Sequence, residues 1–370
     1  MSSISRVFWL CKSRYMNHDV IDDRYARLFE VPHRLGERLD VSAFCLDYRL
    51  KKLASIDPEL AASWQRSSIP RTLFIGWFFI LFTHARKFRP ECVIASSDCL
   101  HIILGALISR MVGAKFVADL YDDYSTFGLA RIPGMRWLYH RALGSADGIS
   151  VVSQTLGGDI RAAYPSIPVI VLESTIDTDC FQPRDKSESR ELLGLAGLEG
   201  KKLVGVCGGL NAFHGVNTVF EAFPEIAGRD PDVVFVVAGT LYNECPLPEL
   251  DNVKYLGMLP HDQMSYFFSA LDLVIVALSN TRFGYYAFPQ KAYEVLACRV
   301  PVAAADVGAL GILFGSLKKA LYDPDSSAGL ADTVLHQLED KSLLDVRIPT
   351  WSDQAEKLDN FIQEELADSN

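Results

Sequence analysis

The chain has 370 residues, of which 49% are apolar and 22% charged, and its formal net charge is −10. This length is sufficient for two domains with ordinary globular cores. The acidic balance, without a broad basic stripe, argues against a nucleic-acid-binding protein. The 8 cysteines are scattered and form no C-x-x-C pair, so we expect buried, reduced thiols in a cytosolic protein. The N-terminus predicts no secretory signal.

The first half of the chain alternates short β-branched runs with longer helical patterns. This alternation predicts a parallel sheet with crossover helices. The predicted strands are Val7–Cys11, Val41–Leu46, Cys92–Ser96, Lys115–Asp119, Gly148–Ser153 and Pro168–Leu172, and the predicted helices include Asp22–Arg38 and His101–Val112.

A charged and aromatic loop, Ser13–Tyr25, joins the first strand to the first helix. A loop at this position borders the ligand-binding edge of a doubly wound sheet. Arg14 or Arg24 could therefore contact the phosphate of an acceptor. A solvated loop, in which Asp22 caps the following helix, explains the same residues equally well.

A continuous apolar run, Leu73–Phe82, is followed by the basic segment His84–Arg89. The run has about half of the roughly 20 residues that a membrane span requires. It predicts either a helix packed in the core or an interfacial helix. In the second case, residues 71–89 would contact anionic head groups peripherally.

Three carboxylates, Asp119, Asp122 and Asp123, follow the strand that begins at Lys115. The carboxyl ends of strands face the ligand crevice in this class of fold. An attacking hydroxyl needs a proton acceptor, and we assign that role to Asp122, with Asp123 on the acceptor side beside Arg14 and Arg24. Two alternatives stay open: Asp123 caps the next helix, or Asp119 and Asp122 hold a divalent metal.

The polar segment Thr175–Gly200 is predicted to be a hinge, after which the alternation restarts. The expected architecture is two doubly wound α/β domains facing a cleft, at 1–175 and 176–350, with a closing helix in 351–370. The strands predicted for the second domain are Lys202–Cys207, Val233–Ala238, Val253–Leu256, Leu273–Leu278, Pro301–Ala305 and Ala320–Tyr322.

A strand, a glycine turn and a helix start occur together in Val206–Val216. Gly208 and Gly209 would let the backbone approach a phosphate closely, although a tight turn needs glycine in any case. Another strand runs into Gly239. The turn around Met258 presents backbone groups to a nucleotide base or is a plain connection.

The most informative stretch is Phe288–Val302, in which Pro289 precedes Lys291 and Glu294. Proline is accommodated in the first helical turn, and residues three apart share one face of a helix. A lysine at a helix N-terminus suits a phosphate, and a carboxylate one turn later suits the vicinal hydroxyls of a sugar. The pattern indicates a nucleoside diphosphate site.

The chain resembles the retaining GT-B glycosyltransferases of family 4 and, more distantly, the xanthan-assembly glucuronosyltransferase. This resemblance implies a nucleotide-sugar donor, UDP- or GDP-linked, bound mainly by the second domain. Lys291 would hold the diphosphate and Glu294 the ribose, with retention of configuration and neither metal nor cofactor. The segments that carry the resemblance are Gly208–Val216, Ser174–Pro183, the Gly257 turn and Phe288–Val302.

Two departures from the family pattern affect the donor site. Tyr286 stands where the family has a glutamate that contacts the donor sugar. Gly209 and His214 stand where the family often has an arginine and a lysine. We expect Arg282 and the adjacent Tyr285 to compensate for the missing part of the family's diphosphate clamp.

The predicted activity is transfer of a sugar to a hydroxyl acceptor. The expected acceptor is a lipid-linked glycan of lipopolysaccharide or exopolysaccharide assembly. The enzyme would be cytoplasmic and peripheral to the inner face of the membrane. A nucleotide-sugar epimerase of the same architecture and a catalytically weak, nucleotide-sugar-binding partner subunit are the alternatives.

Overall fold

A computed structural model of the chain describes residues 3–15, 18–24, 26–47, 56–68, 74–125 and 128–367. The chain divides into two compact units. The first comprises Met1–Ser174 together with Pro349–Asn370, and the second comprises Thr175–Ile348. Each unit is built on its own parallel sheet with crossover helices, which confirms the predicted pair of Rossmann-like domains.

The strands of the first unit are β1 Arg6–Lys12, β2 Arg14–Tyr15, β3 His18–Asp19, β4 Asp40–Asp47, β5 Trp64–Ser68, β6 Cys92–Ala95, β7 Lys115–Leu120, β8 Gly148–Val151 and β9 Val169–Val171. β2 and β3 form a short antiparallel ribbon. The other 7 strands form one parallel sheet in the order β5-β4-β1-β6-β7-β8-β9. β1 lies inside the sheet between β4 and β6, and Val7–Cys11 is completely buried because both faces of the sheet are covered.

The helices of the first unit that precede residue 174 are α1 Val20–Asp23, α2 Arg27–Leu35, α3 Phe74–Phe88, α4 Cys99–Val112, α5 Met135–Leu143 and α6 Gln154–Ala163. A 3-10 turn, Gly128–Arg131, precedes α5. α4 lies on β6 and β7 and packs against α3 and α5.

Every predicted strand of the first unit coincides with an observed one, but two features differ. The sequence Trp64–Ser68 is polar and was not predicted as a strand, yet it forms β5 at the sheet edge. The predicted helix Asp22–Arg38 is divided into α1 and α2. Asp19, rather than Asp22, caps α1 by accepting from the Ile21 amide at 3.1 Å.

The apolar run forms α3, whose two sides differ. Trp77 and Leu81 are buried against the unit, as a core helix requires, whereas Phe79 and Ile80 are 59% and 39% exposed. Residues 71–73 lie outside the described part of the chain. Among the described residues, no helix combines the length and apolarity needed to cross a bilayer.

The strands of the second unit are β10 Lys202–Leu210, β11 Val233–Leu241, β12 Val253–Tyr255, β13 Leu273–Val276, β14 Val302–Ala305 and β15 Leu321–Tyr322. They form a parallel sheet in the order β12-β11-β10-β13-β14-β15. The order reverses between β10 and β13, because the chain first adds strands on one side of β10 and then on the other. The helices of this unit are α7 Lys186–Leu192, α8 Val216–Arg229, α9 Met264–Ala270, α10 Arg282–Tyr286, α11 Lys291–Ala297, α12 Gly308–Leu313 and α13 Ser327–Glu339.

The polar segment predicted to be a hinge is folded into the second unit. It contains α7, whose Lys186 and Arg190 bind the Asp272 carboxylate at 2.6 and 2.9 Å. The charges of this segment therefore anchor it rather than leave it as a linker.

The last helix, α14 Trp351–Phe361, packs against α2 in the first unit. Thr350 and Asp353 form a capping box at its start. Asp359 accepts from the Arg38 guanidinium at 2.9 Å. Of the 8 cysteines, all free thiols, only Cys180 is exposed.

Candidate nucleotide-sugar site

A cavity of about 240 Å³ lies within the second unit at the carboxyl ends of β10 and β13. This is the point where the strand order reverses, and open α/β sheets bind ligands there. The walls come from the end of β10, the end of β13 and the start of α11. The lining residues are Val206, Cys207, Gly209, His214, Val216, Ile275, Val276, Ala277, Leu278, Pro289, Gln290, Lys291 and Glu294.

The backbone at the end of β10 is crowded in a way that demands glycine. Gly208 has φ 110° and Gly239, its neighbour in register on β11, has φ 121°. A Cβ on Gly239 would lie 2.0 Å from the Gly208 carbonyl oxygen. Strand packing thus explains the glycine at residue 239. A Cβ on Gly208 would instead meet the Lys291 ammonium, at 2.5 Å.

Lys291 reaches from α11 to the end of β10. Its ammonium donates a hydrogen bond to the carbonyl oxygen of Cys207. The helix begins at Lys291 itself, two residues later than the start predicted at Pro289. The amides of Ala292 and Tyr293 already donate to the carbonyls of Pro289 and Gln290, both at 2.9 Å. The positive group that faces the glycine turn is consequently the lysine side chain.

Glu294 lines the same cavity one helical turn after Lys291. Burial raises the pKa of its carboxyl group to about 7, and the charge of Lys291 opposes that rise. Near neutral pH the group is therefore divided between a carboxylate and a carboxylic acid. Both forms accept hydrogen bonds from hydroxyl groups, and the acid also donates one.

His214 ends a short 3-10 turn, Ala212–His214, at the cavity wall. Asn211 caps this turn and accepts from the His214 amide at 3.1 Å. Burial lowers the pKa of the imidazole, and the nearby ammonium of Lys291 lowers it further. His214 is thus neutral at pH 7 and does not supply the charge of the family's lysine.

The remaining predicted donor residues do not belong to the lining of this cavity. Arg282 stacks over the Tyr286 ring at 5.5 Å, and Tyr286 is 6% exposed. Met258 is 64% exposed and follows Gly257, whose carbonyl accepts from the Gly239 amide at 2.7 Å. The structure therefore brings four predicted residues to the cavity: Gly209, His214, Lys291 and Glu294.

Sequence reasoning missed the wall formed by Ile275–Leu278 at the end of β13. These residues carry no polar group that would mark them. The available signal was indirect, because the strand Leu273–Leu278 was predicted but its place beside β10 was not.

At the carboxyl edge of the first unit's sheet, Asp122 is half-buried and accepts from the Asp123 amide at 2.7 Å. Burial raises the pKa of Asp122 to about 6, and the charge of Asp123 adds to that rise. Asp123 accepts from the amide and hydroxyl of Ser125 at 3.1 and 2.6 Å, so it closes a turn there. Thr126 lies outside the described residues.

Asp119 has a structural role instead of the metal-binding role considered for it. It is fully buried and pairs with the Arg27 guanidinium at 2.5 Å. The hydroxyls of Ser96 and Ser150 donate to the same carboxylate, each at 2.6 Å. Within the described ranges, no group of three or more potential metal ligands occurs.

The two arginines predicted on the acceptor side both contact acidic side chains. Arg24 binds Asp57 at 2.5 Å and donates to the Ile21 carbonyl at 2.8 Å. Arg14 lies 3.9 Å from Asp19. A ligand phosphate would have to compete with these carboxylates.

Comparisons with known proteins agree with the two parallel sheets. Residues 201–340 match the family model described as glycosyl transferases group 1. The chain therefore carries a glycosyl transferases group 1 domain. It has the GT-B fold.

Two curated relatives illustrate the similarity to known glycosyltransferases. It is 25% identical to 2-deoxystreptamine glucosyltransferase of Streptomyces kanamyceticus over 260 residues, 65% of either chain. It is 32% identical to the lipopolysaccharide core biosynthesis mannosyltransferase LpsB of Rhizobium meliloti over 165 residues, 41% of this chain and 44% of the relative. The chain thus spans less than two thirds of the length of each relative.

Solved structures share the fold over nearly the whole chain. Sucrose-phosphate synthase from Thermosynechococcus elongatus superimposes with a TM-score of 0.69 at 16% identity, covering 98% of this chain and 97% of that one. HepE from Anabaena, solved in complex with UDP, superimposes with a TM-score of 0.67 at 15% identity. The superposition covers 98% of this chain and 96% of HepE.

Proposed function

We propose that this protein is a retaining glycosyltransferase that moves a sugar from a nucleoside diphosphate sugar to a hydroxyl acceptor. The observation that carries the proposal is the position of Lys291. Its ammonium lies at the end of β10, in a switch-point cavity that it shares with Glu294. The group 1 domain supports the same assignment.

In the proposed reaction the bond between the anomeric carbon and the diphosphate oxygen breaks, and the acceptor oxygen bonds to the same face of that carbon. Lys291 stabilises the negative charge that develops on the leaving diphosphate. Glu294 binds the ribose hydroxyls. The acceptor proton passes to the leaving phosphate or to Asp122. Neither a metal nor a cofactor enters this scheme.

The acceptor that we propose is a lipid-linked glycan of cell-surface polysaccharide assembly. The Rhizobium relative, named for lipopolysaccharide core biosynthesis, supports this choice. Such an acceptor requires access to a membrane, and the exposed aromatic side of α3 is suited to peripheral contact. The protein would then work on the inner face of the cytoplasmic membrane.

The test combines binding and product analysis. UDP or GDP should raise the melting temperature, since a ligand at about 100 times its dissociation constant stabilises the folded state by about 2.7 kcal/mol. Incubation with nucleotide sugars and a lipid-linked acceptor should yield a glycosylated product. Conversion of the donor without an acceptor would indicate the epimerase, and binding without turnover would indicate the partner subunit. Either outcome overturns the proposal.

A further inference from the structure

Three neighbouring helices of the first unit, α3, α4 and α5, and the turn before α5 expose several large apolar side chains. α4 packs between the other two, so all three cover the same side of the sheet. The exposed apolar side chains are Phe79 and Ile80 on α3, Leu107 and Met111 on α4, Ile132 before α5, and Trp137 and Leu138 on α5. Below, "the apolar helix face" means this set.

The charge of the same segments is entirely positive. Residues 74–90, 99–112 and 128–145 contain no aspartate or glutamate, although the chain as a whole has a net charge of −10. Their basic residues are Arg86, Lys87, Arg89, Arg110, Arg131, Arg136 and Arg141. An apolar surface whose own segments carry only basic charged residues is complementary to an anionic lipid surface.

A cavity of about 550 Å³ opens where α3 and α4 end. Its lining residues are Arg6, Phe82, Arg86, Arg89, Pro90, Met111 and Val112. Below, it is called the arginine cavity. Arg6 is engaged there, because it binds Glu91 at 3.0 Å and donates to the Arg89 carbonyl at 2.8 Å. Among the residues that the structure describes, no carboxylate pairs with the guanidinium group of Arg86 or Arg89.

We propose that the arginine cavity binds the phosphate group of an anionic phospholipid, while the apolar helix face enters the membrane interface. This inference rests on the peripheral membrane contact proposed above and assigns it a specific site. Arg86 and Arg89 present planar donors that match phosphate oxygens. Phe82 and Met111 provide an apolar wall for the first part of the lipid chains, and Trp137 has the amphipathic ring that is enriched at membrane interfaces.

The experiment compares two double variants with equal loss of charge. Arg86→Gln/Arg89→Gln removes the cations of the cavity, and Lys87→Gln/Arg110→Gln removes two exposed cations of the same helices outside its lining. Co-sedimentation is measured with phosphatidylcholine vesicles and with vesicles that also contain phosphatidylglycerol. We expect wild-type protein to sediment only with the anionic vesicles. The partition coefficient should fall at least tenfold further in the cavity variant than in the control.

If the partition coefficient falls equally in the two variants, the arginine cavity is not a specific phosphate site, and general electrostatic attraction explains the binding. Wild-type protein that stays in the supernatant would overturn the membrane contact itself. A soluble arm uses glycerol 3-phosphate and inorganic phosphate: stabilisation by these anions without vesicle binding would reassign the cavity to a free phosphate. Stabilisation by UDP or GDP, measured on every variant, shows that the second unit is folded and tests the donor site separately.

Discussion

The ammonium of Lys291 donates a hydrogen bond to the carbonyl oxygen of Cys207, the residue that precedes Gly208 in β10. The hydrogen bond thereby holds the cation of α11 beside Gly208 of β10. The arrangement places positive charge where the chain reverses strand order, and it leaves no room for a side chain at residue 208. Charge and backbone shape at this point are therefore coupled.

Replacing Lys291 tests the charge. We expect Lys291→Ala to lower turnover by about 10²-fold or more, because removing a group that stabilises developing charge typically has that effect. The control is Lys254→Ala, which removes an exposed lysine from β12 in the same unit. Turnover is measured by steady-state kinetics with the nucleotide-sugar donor. If Lys291→Ala turns over nearly as fast as the control, Lys291 does not have the role proposed for it.

Replacing Gly208 tests the shape. Gly208→Ala should push the Lys291 ammonium away from the turn, since the new Cβ would approach it to 2.5 Å. Gly200→Ala is a matched control, because Gly200 also has a positive φ, 79°, but faces open space. Both variants should lose roughly 1–2 kcal/mol of stability from backbone strain. Only Gly208→Ala should also lose the melting-temperature shift produced by UDP or GDP, and equal shifts in the two variants would count against the coupling.

The sequence was sufficient to predict the two sheets and the Lys291–Glu294 face, because both depend on local periodicity. It was not sufficient to predict contacts between residues that are far apart in the sequence. Ile275–Leu278 joins the cavity only because β13 lies beside β10. Asp119 pairs with Arg27, which is distant in sequence, so local sequence alone does not exclude a metal-binding role for this carboxylate. The polar strand β5 was not predicted, because a strand at the edge of a sheet needs few apolar residues and so lacks the pattern on which the prediction depends.

The pKa of Glu294 predicts a pH-dependent stability. The folded protein holds this proton up to about pH 7, whereas an unfolded glutamate releases it near pH 4.3. The stabilisation is thus complete below about pH 4 and is lost as pH rises through 7. Glu294→Gln cannot ionise and does not lose this stabilisation. The unfolding free energy of the variant, relative to that of wild type, should therefore be higher at pH 8 than at pH 5. Urea titrations at both values measure this, with exposed Glu221→Gln as control. An identical pH trend in wild type and Glu294→Gln would refute the shift.

A pH–rate profile tests the role proposed for Asp122. If its carboxylate accepts the acceptor proton, kcat/KM should rise with pH up to about 6 and then level off, because the base must be ionised. Asp122→Asn should lower kcat/KM by about 10²–10⁴-fold and lose this acidic limb. Persistence of the limb at comparable activity in the variant would assign the proton to the leaving phosphate.

The buried pair between Arg27 and Asp119 is expected to dominate the electrostatic stability of the first unit. Arg27→Met leaves a carboxylate buried among Ser96, Ser150 and apolar neighbours, and breaking a buried pair in this way costs about 3–5 kcal/mol. Adding Asp119→Asn should restore part of the loss, because the unpaired charge disappears. The control is Arg24→Met, whose exposed pair with Asp57 should contribute less than about 1 kcal/mol. Urea denaturation followed in the first unit distinguishes the two arginines, and a similar small loss for both would show that Asp119 is neutralised by another group.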